Sequence, residues 1–431
     1  MDYRVLGRVG AAGALLAASL VPSVAAAHPG HEYDTSPGGV PLHRMSDVRC
    51  EDDMAGDLFP CHKTDLSAFV PITEFDTDWI NDIWGWTDPQ TGREYALLKV
   101  RNGLAFIDVT DEFDPVYLGK LSQPTASTWG DVKVYKNHAY VVSEAAGHGM
   151  QVFDLTRLRG VTEPRTWTQD AHWDGVSNSH NIAINEESGF AYIIGSTRQP
   201  IACDNGRGGP VMVDIRDPKS PRLAGCFAED GYTHDIQCVN YRGTDRDHAG
   251  REVCFASNED TVTIVDVTDK AAPAMLSRTG YDGAGYTHQG WLTEDHRFFL
   301  FNDELDELRG NVDGTTTRIL DVADLDAPVL SGSYTAPVNS IDHNMYVKDA
   351  LVYESNYTNG LRIFDTYKLE EGRLKEAGYF DTFPADDDTK FAGTWSNYPY
   401  FDSGVVIVSG IREGLFVMRP RVKSSDPGYT Y

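Results

Sequence analysis

A chain of 431 residues with 65 Asp and Glu against 37 Lys and Arg, a formal net charge of −28, lacks the basic footprint that nucleic acid or an anionic membrane surface requires. Neither is expected as a partner; cationic partners, hard metal ions and plain solubility outside the cell all suit this balance. Six cysteines, an even number, point to disulfides in an oxidising compartment.

Residues 1–27 read as a signal peptide. Arg4 and Arg8 precede an apolar, Ala-rich run over residues 9–21, and Ala25, Ala26 and Ala27 offer a small-residue cleavage site. No second apolar stretch long enough to span a bilayer follows, so a secreted or periplasmic, soluble product is expected. Residues 28–49, rich in Pro, Gly and polar residues, predict a flexible arm. Its His28, His31 and His43 offer copper or zinc a ligand set, against the plainer reading of an incidental His-bearing tail. The folded part is expected over residues 50–421, with a polar tail over 422–431.

Within residues 50–421 one plan repeats. An apolar run closing on Asp recurs as LAFIDVTDEFDP (104–115), MQVFDL (150–155), VMVDIRDP (211–218), TIVDVTD (263–269), RILDVADLDAP (318–328) and LRIFDT (361–366); LFVMRP (415–420) lacks the Asp. A second strand-like piece begins at Asn81, Gly130, His180, His234, His288, His343 and Ser396, in steps of 49, 50, 54, 54, 55 and 53 residues. Units this small cannot bury their own faces, so the spacing predicts an all-β, seven-bladed β-propeller. The blades are expected to end near Leu121, Trp167, Phe227, Thr279, Tyr334, Phe380 and Arg421. LSAFVPITEF (66–75) reads as a fourth strand with no first three ahead of it, while LFVMRP has no strand after it. The N-terminal strand is therefore predicted to complete the last blade, removing the open sheet edges.

The motifs SHNIAIN (179–185), GYTHDIQCV (231–239), CFASNEDTVTIVDVTD (254–269), YTHQGWLTED (286–295), NDELDE (302–307) and IDHNMYVK (341–348) carry a resemblance to the choice-of-anchor B family of secreted bacterial LVIVD-repeat proteins. It spans roughly residues 50–421. What it implies is a repeat architecture with varied surface anchors and no agreed reaction; the tail of this chain shows no such anchor.

The repeat narrows the fifteen possible disulfide pairings. Cys238 and Cys254 fall on neighbouring antiparallel strands, Cys203 in a long loop is within reach of Cys226, and Cys50 is left with Cys61. A metal–thiolate site is the alternative, without a C-x-x-C spacing to support it.

In a propeller the first strands line the channel, so matching positions share a height. At one height lie His180, His234, His288 and His343, and the next position is polar throughout, including Asp131, Asp235 and Asn344. Convergent imidazoles suit zinc or copper, with neighbouring carboxylates orienting them; the plainer reading has each His bonding to the backbone of the next blade. The loop NDELDELRGNVDG (302–314) places Asp303, Glu304, Asp306, Glu307 and Asp313 beside the same end, a candidate calcium set without EF-hand spacing. Glu144, Asn258, Glu259 and Asn356 hold similar places, so a His-centred mouth with an acidic rim is expected. Trp84, Trp86, Trp129, Trp291 and Trp395 suit stacking on a sugar or aromatic ligand, or packing between blades.

No G-x-S-x-G elbow, P-loop, H-E-x-x-H helix or C-x-x-C-H site is present. The function expected is that of a secreted binding protein with a divalent-metal or small-ligand site at the channel mouth. Two alternatives stay open: a metal-dependent extracellular hydrolase or oxidase using the same histidines, and a scaffold for protein or glycan whose histidines are structural.

Overall fold

The computed structural model describes residues 36–198, 200–203 and 208–426; the expected signal peptide, His28 and His31 lie outside them. Among the described residues the strands form seven sheets, each built on four antiparallel strands that in most sheets follow one another in the chain. The sheet Asp235–Asn240, Glu252–Ser257, Thr261–Asp266 and Ala274–Gly280 shows the plan. Its second and third strands are buried on both faces, because neighbouring sheets pack against each side, whereas Ala274–Gly280 is half exposed at the perimeter. β-Branched and aromatic residues fill those doubly buried strands: Phe255 and Ile264 meet Phe299 and Leu320 of the following sheet in one apolar cluster.

The innermost strands close a ring. Ile80–Thr87 packs on Gly130–Tyr135, which meets Asn181–Asn185, then Asp235–Asn240, Thr287–Leu292, Asn344–Lys348 and Thr394–Tyr398, and the last packs back on Ile80–Thr87. The molecule is an all-β propeller. Thr64–Pro71 pairs antiparallel with Gly414–Pro420, Phe69 opposite Phe416 and Ala68 opposite Val417, so the N-terminal strand completes the C-terminal sheet as expected. Closure of this kind leaves no long unpaired edge inside the ring.

The repeated Asp has one local job. Asp108, Asp154, Asp214, Asp266, Asp321 and Asp365 each end a third strand and accept a hydrogen bond at Oδ1 from the backbone N–H two residues on, at 2.9–3.1 Å. This Asx turn reverses the chain toward the fourth strand, which is why the residue recurs with the period of the fold.

Three boundaries differ from the expectation. Arg165–Trp167 does not end its own sheet but adds in parallel to Val116–Ser122 of the preceding one, Trp167 Nε1 donating to the Leu118 carbonyl at 3.0 Å, and Ala171–Trp173 supplies the fourth strand instead. Met45–Val48, placed in the flexible arm, pairs with Thr64–Pro71 and extends the closing sheet. The closing strand itself stops at Pro71, and Ile72–Phe75 turns as a short 3₁₀ helix. All three expected disulfides form: Cys50–Cys61, Cys203–Cys226 and Cys238–Cys254. Among the described residues no helix is long and apolar enough to cross a membrane.

Candidate functional site

His180, His234, His288 and His343 sit at the starts of four consecutive innermost strands and stack around the channel, with ring centroids 4.6, 4.2 and 4.4 Å apart in that order. All are buried. The Nδ1 atoms do structural work: that of His234 lies 2.9 Å from the His288 carbonyl and that of His343 lies 2.6 Å from the Trp395 carbonyl, each on the next sheet. A carbonyl only accepts, so in the neutral rings the proton sits on Nδ1 and the lone pair on Nε2. His180 Nδ1 instead meets Glu144 Oε1 at 2.7 Å.

Two of the Nε2 atoms lead to Glu304. His343 Nε2 is 3.5 Å from its Oε1 and His288 Nε2 is 3.8 Å from its Oε2; one ligand atom from each of the three residues lies within 4.8 Å of the others. These separations are long for hydrogen bonds. Two ligands on one tetrahedral zinc, with bonds of about 2.0–2.2 Å, stand roughly 3.3 Å apart, close to what is found here. Tyr357 donates its hydroxyl to Glu304 Oε1 at 2.6 Å and so orients the carboxylate from behind.

The expected four-imidazole set thus becomes two imidazoles and one carboxylate. His234 and His180 continue the stack, the latter turned to Glu144. Nor is this end an open mouth: Trp79, Tyr286, Leu305, Tyr357, Phe391 and Trp395 form one apolar cluster with the histidines packed against it, His343 4.6 Å from the Tyr357 ring and 4.7 Å from Trp395. Asp303 is not a rim ligand either. Its carboxylate accepts from the N–H groups of Gly285, Tyr286 and Leu305 and from the Tyr281 hydroxyl at 2.6–3.2 Å, so it fixes the loop path.

Below the histidines the predicted polar layer is present but committed. Asp131 accepts from Val132 N, Lys133 Nζ and Ile182 N at 2.5–3.0 Å; Asn344 donates to the Trp395 carbonyl at 3.3 Å. Asp235 caps its own strand through Ile236 N at 2.6 Å, and burial pushes its carboxyl up to about 7.

Two residues further along, roughly 7 Å at strand rise, the channel widens into a cavity of about 540 Å³ lined by Trp84, Trp291, Tyr346, Tyr398 and Tyr400, with Lys133, Asp235 and Gln289 among its polar groups. Trp84 and Trp291 are therefore the tryptophans that face the channel, while Trp86 stacks on Tyr95 inside a sheet interface and Trp129 and Trp395 pack at the covered end. The three tyrosines were missed. Strand alternation contained the signal: Trp84, Lys133, Gln237, Trp291 and Tyr346 all stand three residues after the His-equivalent position, on the same face as the polar layer.

No known family profile matches the chain, and no curated protein matches it. Among solved structures, it is similar to the WD40 β-propeller domain of Doa1, at 11% identity over 86% of this chain and 99% of that one with a TM-score of 0.51. It is also similar to the Cps50 (Swd1) β-propeller domain of Myceliophteria thermophila, at 12% identity over 79% and 97% with a TM-score of 0.50. A functionally unknown protein from Desulfotomaculum acetoxidans aligns over 78% and 91% at 12% identity and a TM-score of 0.50. Likeness at such identities is one of fold alone.

Proposed function

We propose that the chain is a secreted, seven-bladed propeller of the LVIVD type, one blade per sheet, and that it binds a transition metal, zinc or copper, through His288, His343 and Glu304. The observation that carries this reading is the convergence of two Nε2 atoms and a carboxylate at ligand spacing, with both the His343 tautomer and the Glu304 orientation set by a second hydrogen bond. Binding is favoured over catalysis because the aromatic cluster covers the site, and a metal that activates water or oxygen needs an open path for substrate. The plainer expectation, that the histidines tie neighbouring blades, is compatible: His343 makes the tie through Nδ1 and faces Glu304 through Nε2.

The test is elemental analysis of protein purified without chelator or affinity tag, followed by zinc and copper titration. We expect one metal per chain, with affinity at least tenfold lower in Glu304→Gln and His343→Asn, each of which weakens or removes a ligand itself, while both stay folded. A folded protein that arrives without metal and takes up neither ion would remove the reading.

A second reading rests on the cavity. Its aromatic lining and few polar groups suit a small ring-bearing ligand such as a sugar or an aromatic compound, bound at the far end of the channel from the histidines. Quenching of tryptophan fluorescence by such ligands, lost in Trp291→Ala, is the corresponding measurement.

A further inference from the structure

Beside the imidazole cluster lies a second group that the reading above does not use. Asp306 and Glu307, on the short helix Asp306–Arg309, face Asp342, which immediately precedes His343, and one carboxylate oxygen from each lies within 4.8 Å of the others. Asp306 and Asp342 are 0% exposed and Glu307 9%. Arg318 Nη2 donates to Asp306 Oδ2 at 2.5 Å and Thr316 N donates to Glu307 Oε1 at 3.1 Å. The remaining oxygens, Asp306 Oδ1, Glu307 Oε2 and both of Asp342, have no donor partner among the described residues; the Asp306 and Glu307 carboxyls stand within hydrogen-bond reach of each other, a bond that requires a proton between them.

Four such oxygens in one buried place are not a stable arrangement as they stand. An ionised carboxylate out of water is strongly unfavourable unless paired, and three carboxylates against one guanidinium leave two negative charges. Either protons fill the gap or a divalent cation does.

We propose that Asp306, Glu307 and Asp342 form a buried, all-oxygen site for a hard divalent cation, calcium in preference to magnesium, separate from the His288–Glu304–His343 cluster. Oxygen donors without nitrogen or sulfur select a hard ion. Several carboxylates in an irregular, nearly dry site suit calcium, since magnesium keeps most of its water. A divalent ion cancels the two uncompensated charges and ties the loop after Phe298–Asp303 to the start of Asn344–Lys348. Glu304 and His343 lie within two residues of these ligands, so the ion also holds that end of the channel in place. Of the acidic loop expected to gather calcium, Asp306 and Glu307 remain in the site, Asp303 and Glu304 turn elsewhere, and Asp342 enters from another blade.

The test uses the full chain stripped with a calcium-selective chelator at pH 7.5 and titrated with calcium alone, by calorimetry and thermal unfolding. Expected are one calcium per chain, a rise in unfolding temperature on calcium addition that chelator reverses, and at least tenfold weaker binding in Asp342→Asn. If the group is instead filled by protons, the wild type will take up no calcium, its melting will ignore calcium and chelator, and Asp342→Asn will be as stable as wild type or more so; that result overturns the proposal. Wild-type calcium affinity in a folded Asp342→Asn overturns it equally. Should Asp342→Asn fail to fold, Glu307→Gln and the wild-type chelator response decide. Zinc uptake, read separately, reports on the imidazole cluster and stands or falls independently.

Discussion

The two arcs of the channel handle buried polarity in different ways. On one, Lys133 Nζ lies 2.6 Å from Asp131 and 3.3 Å from Asp82, 4.7 Å above the Trp84 ring, and the carboxylates also accept from the backbone of three adjacent innermost strands. Burial opposes the Lys133 charge, but the two carboxylates outweigh it and hold the ammonium well above its ordinary pKa. The ammonium there is answered from within the protein, and burial, with Asp82 beside it, pushes the Asp131 carboxyl well above the usual range, so the second carboxylate need not stand as an unanswered charge. On the other arc four imidazoles and two glutamates gather: His234 and His343 commit Nδ1 to the next sheet and His180 commits it to Glu144, while the Nε2 atoms of His288 and His343 converge on Glu304. A balanced cluster holds blades together; an arrangement that collects lone pairs is built to receive something.

Breaking the balanced arc should give the largest effect. Lys133→Met leaves Asp82 and Asp131 buried without their cation, and removing one partner of such a group costs about 3–5 kcal/mol. Urea unfolding of the variant should show that loss at pH 7. A loss below about 1 kcal/mol would mean the cluster is solvated or protonated, and the contrast between the arcs would fail.

A smaller effect comes from Lys99 on the same side, fully buried, its Nζ donating only to the Val100 carbonyl at 2.8 Å. Burial pushes it down to about 7 despite the Asp131 charge. The unfolded chain holds that proton to about pH 10.4. Between these values the unfolded state binds more protons, so this residue's contribution to stability rises with pH from 7 upward and is least below 7. From pH 7 to 9 the wild type should gain roughly 2 kcal/mol relative to Lys99→Met. Equal pH dependence of the two denaturant midpoints would show that Lys99 keeps its charge in the fold.

How far this contrast could be read in the sequence depended on period. The terminal Asp of six third strands recurs at the blade spacing because each makes the same Asx turn, and a His opens four consecutive first strands at that spacing, so alignment alone placed them. What lacks a period was not legible. Asp342 precedes its strand in irregular chain, and only the fold turns it toward Asp306 and Glu307. Asp303 and Glu304 are adjacent acids of the same loop, yet one caps backbone N–H groups and the other meets the imidazoles, a division set by the path of the loop. The aromatic cover over the histidines draws Trp79, Tyr357 and Phe391 from segments outside the regular strands. One tyrosine of the cavity was within reach, since period-two alternation puts Tyr346 on the face of Asn344, in the polar layer, once that layer is placed on the channel.

The smallest expected change is also the sharpest probe of the histidine arc. In His234→Asn the amide Nδ2 takes the place of the imidazole Nδ1, so the bond to the His288 carbonyl persists while Nε2 is gone; His234→Ala loses both. The tie between blades is a single hydrogen bond, contributing about 1 kcal/mol. His234→Asn should therefore unfold within about 1 kcal/mol of wild type, and His234→Ala should be less stable by that bond and by the space the ring filled. If His234 is only a member of the stack, zinc affinity in His234→Asn will stay within about threefold of wild type, and the metal set is His288, His343 and Glu304 alone. A tenfold or greater loss at preserved stability would instead bring His234 into the site as a fourth ligand, restoring part of the four-imidazole set that the repeat suggests and making the arc a closed binding centre with no position left for a substrate.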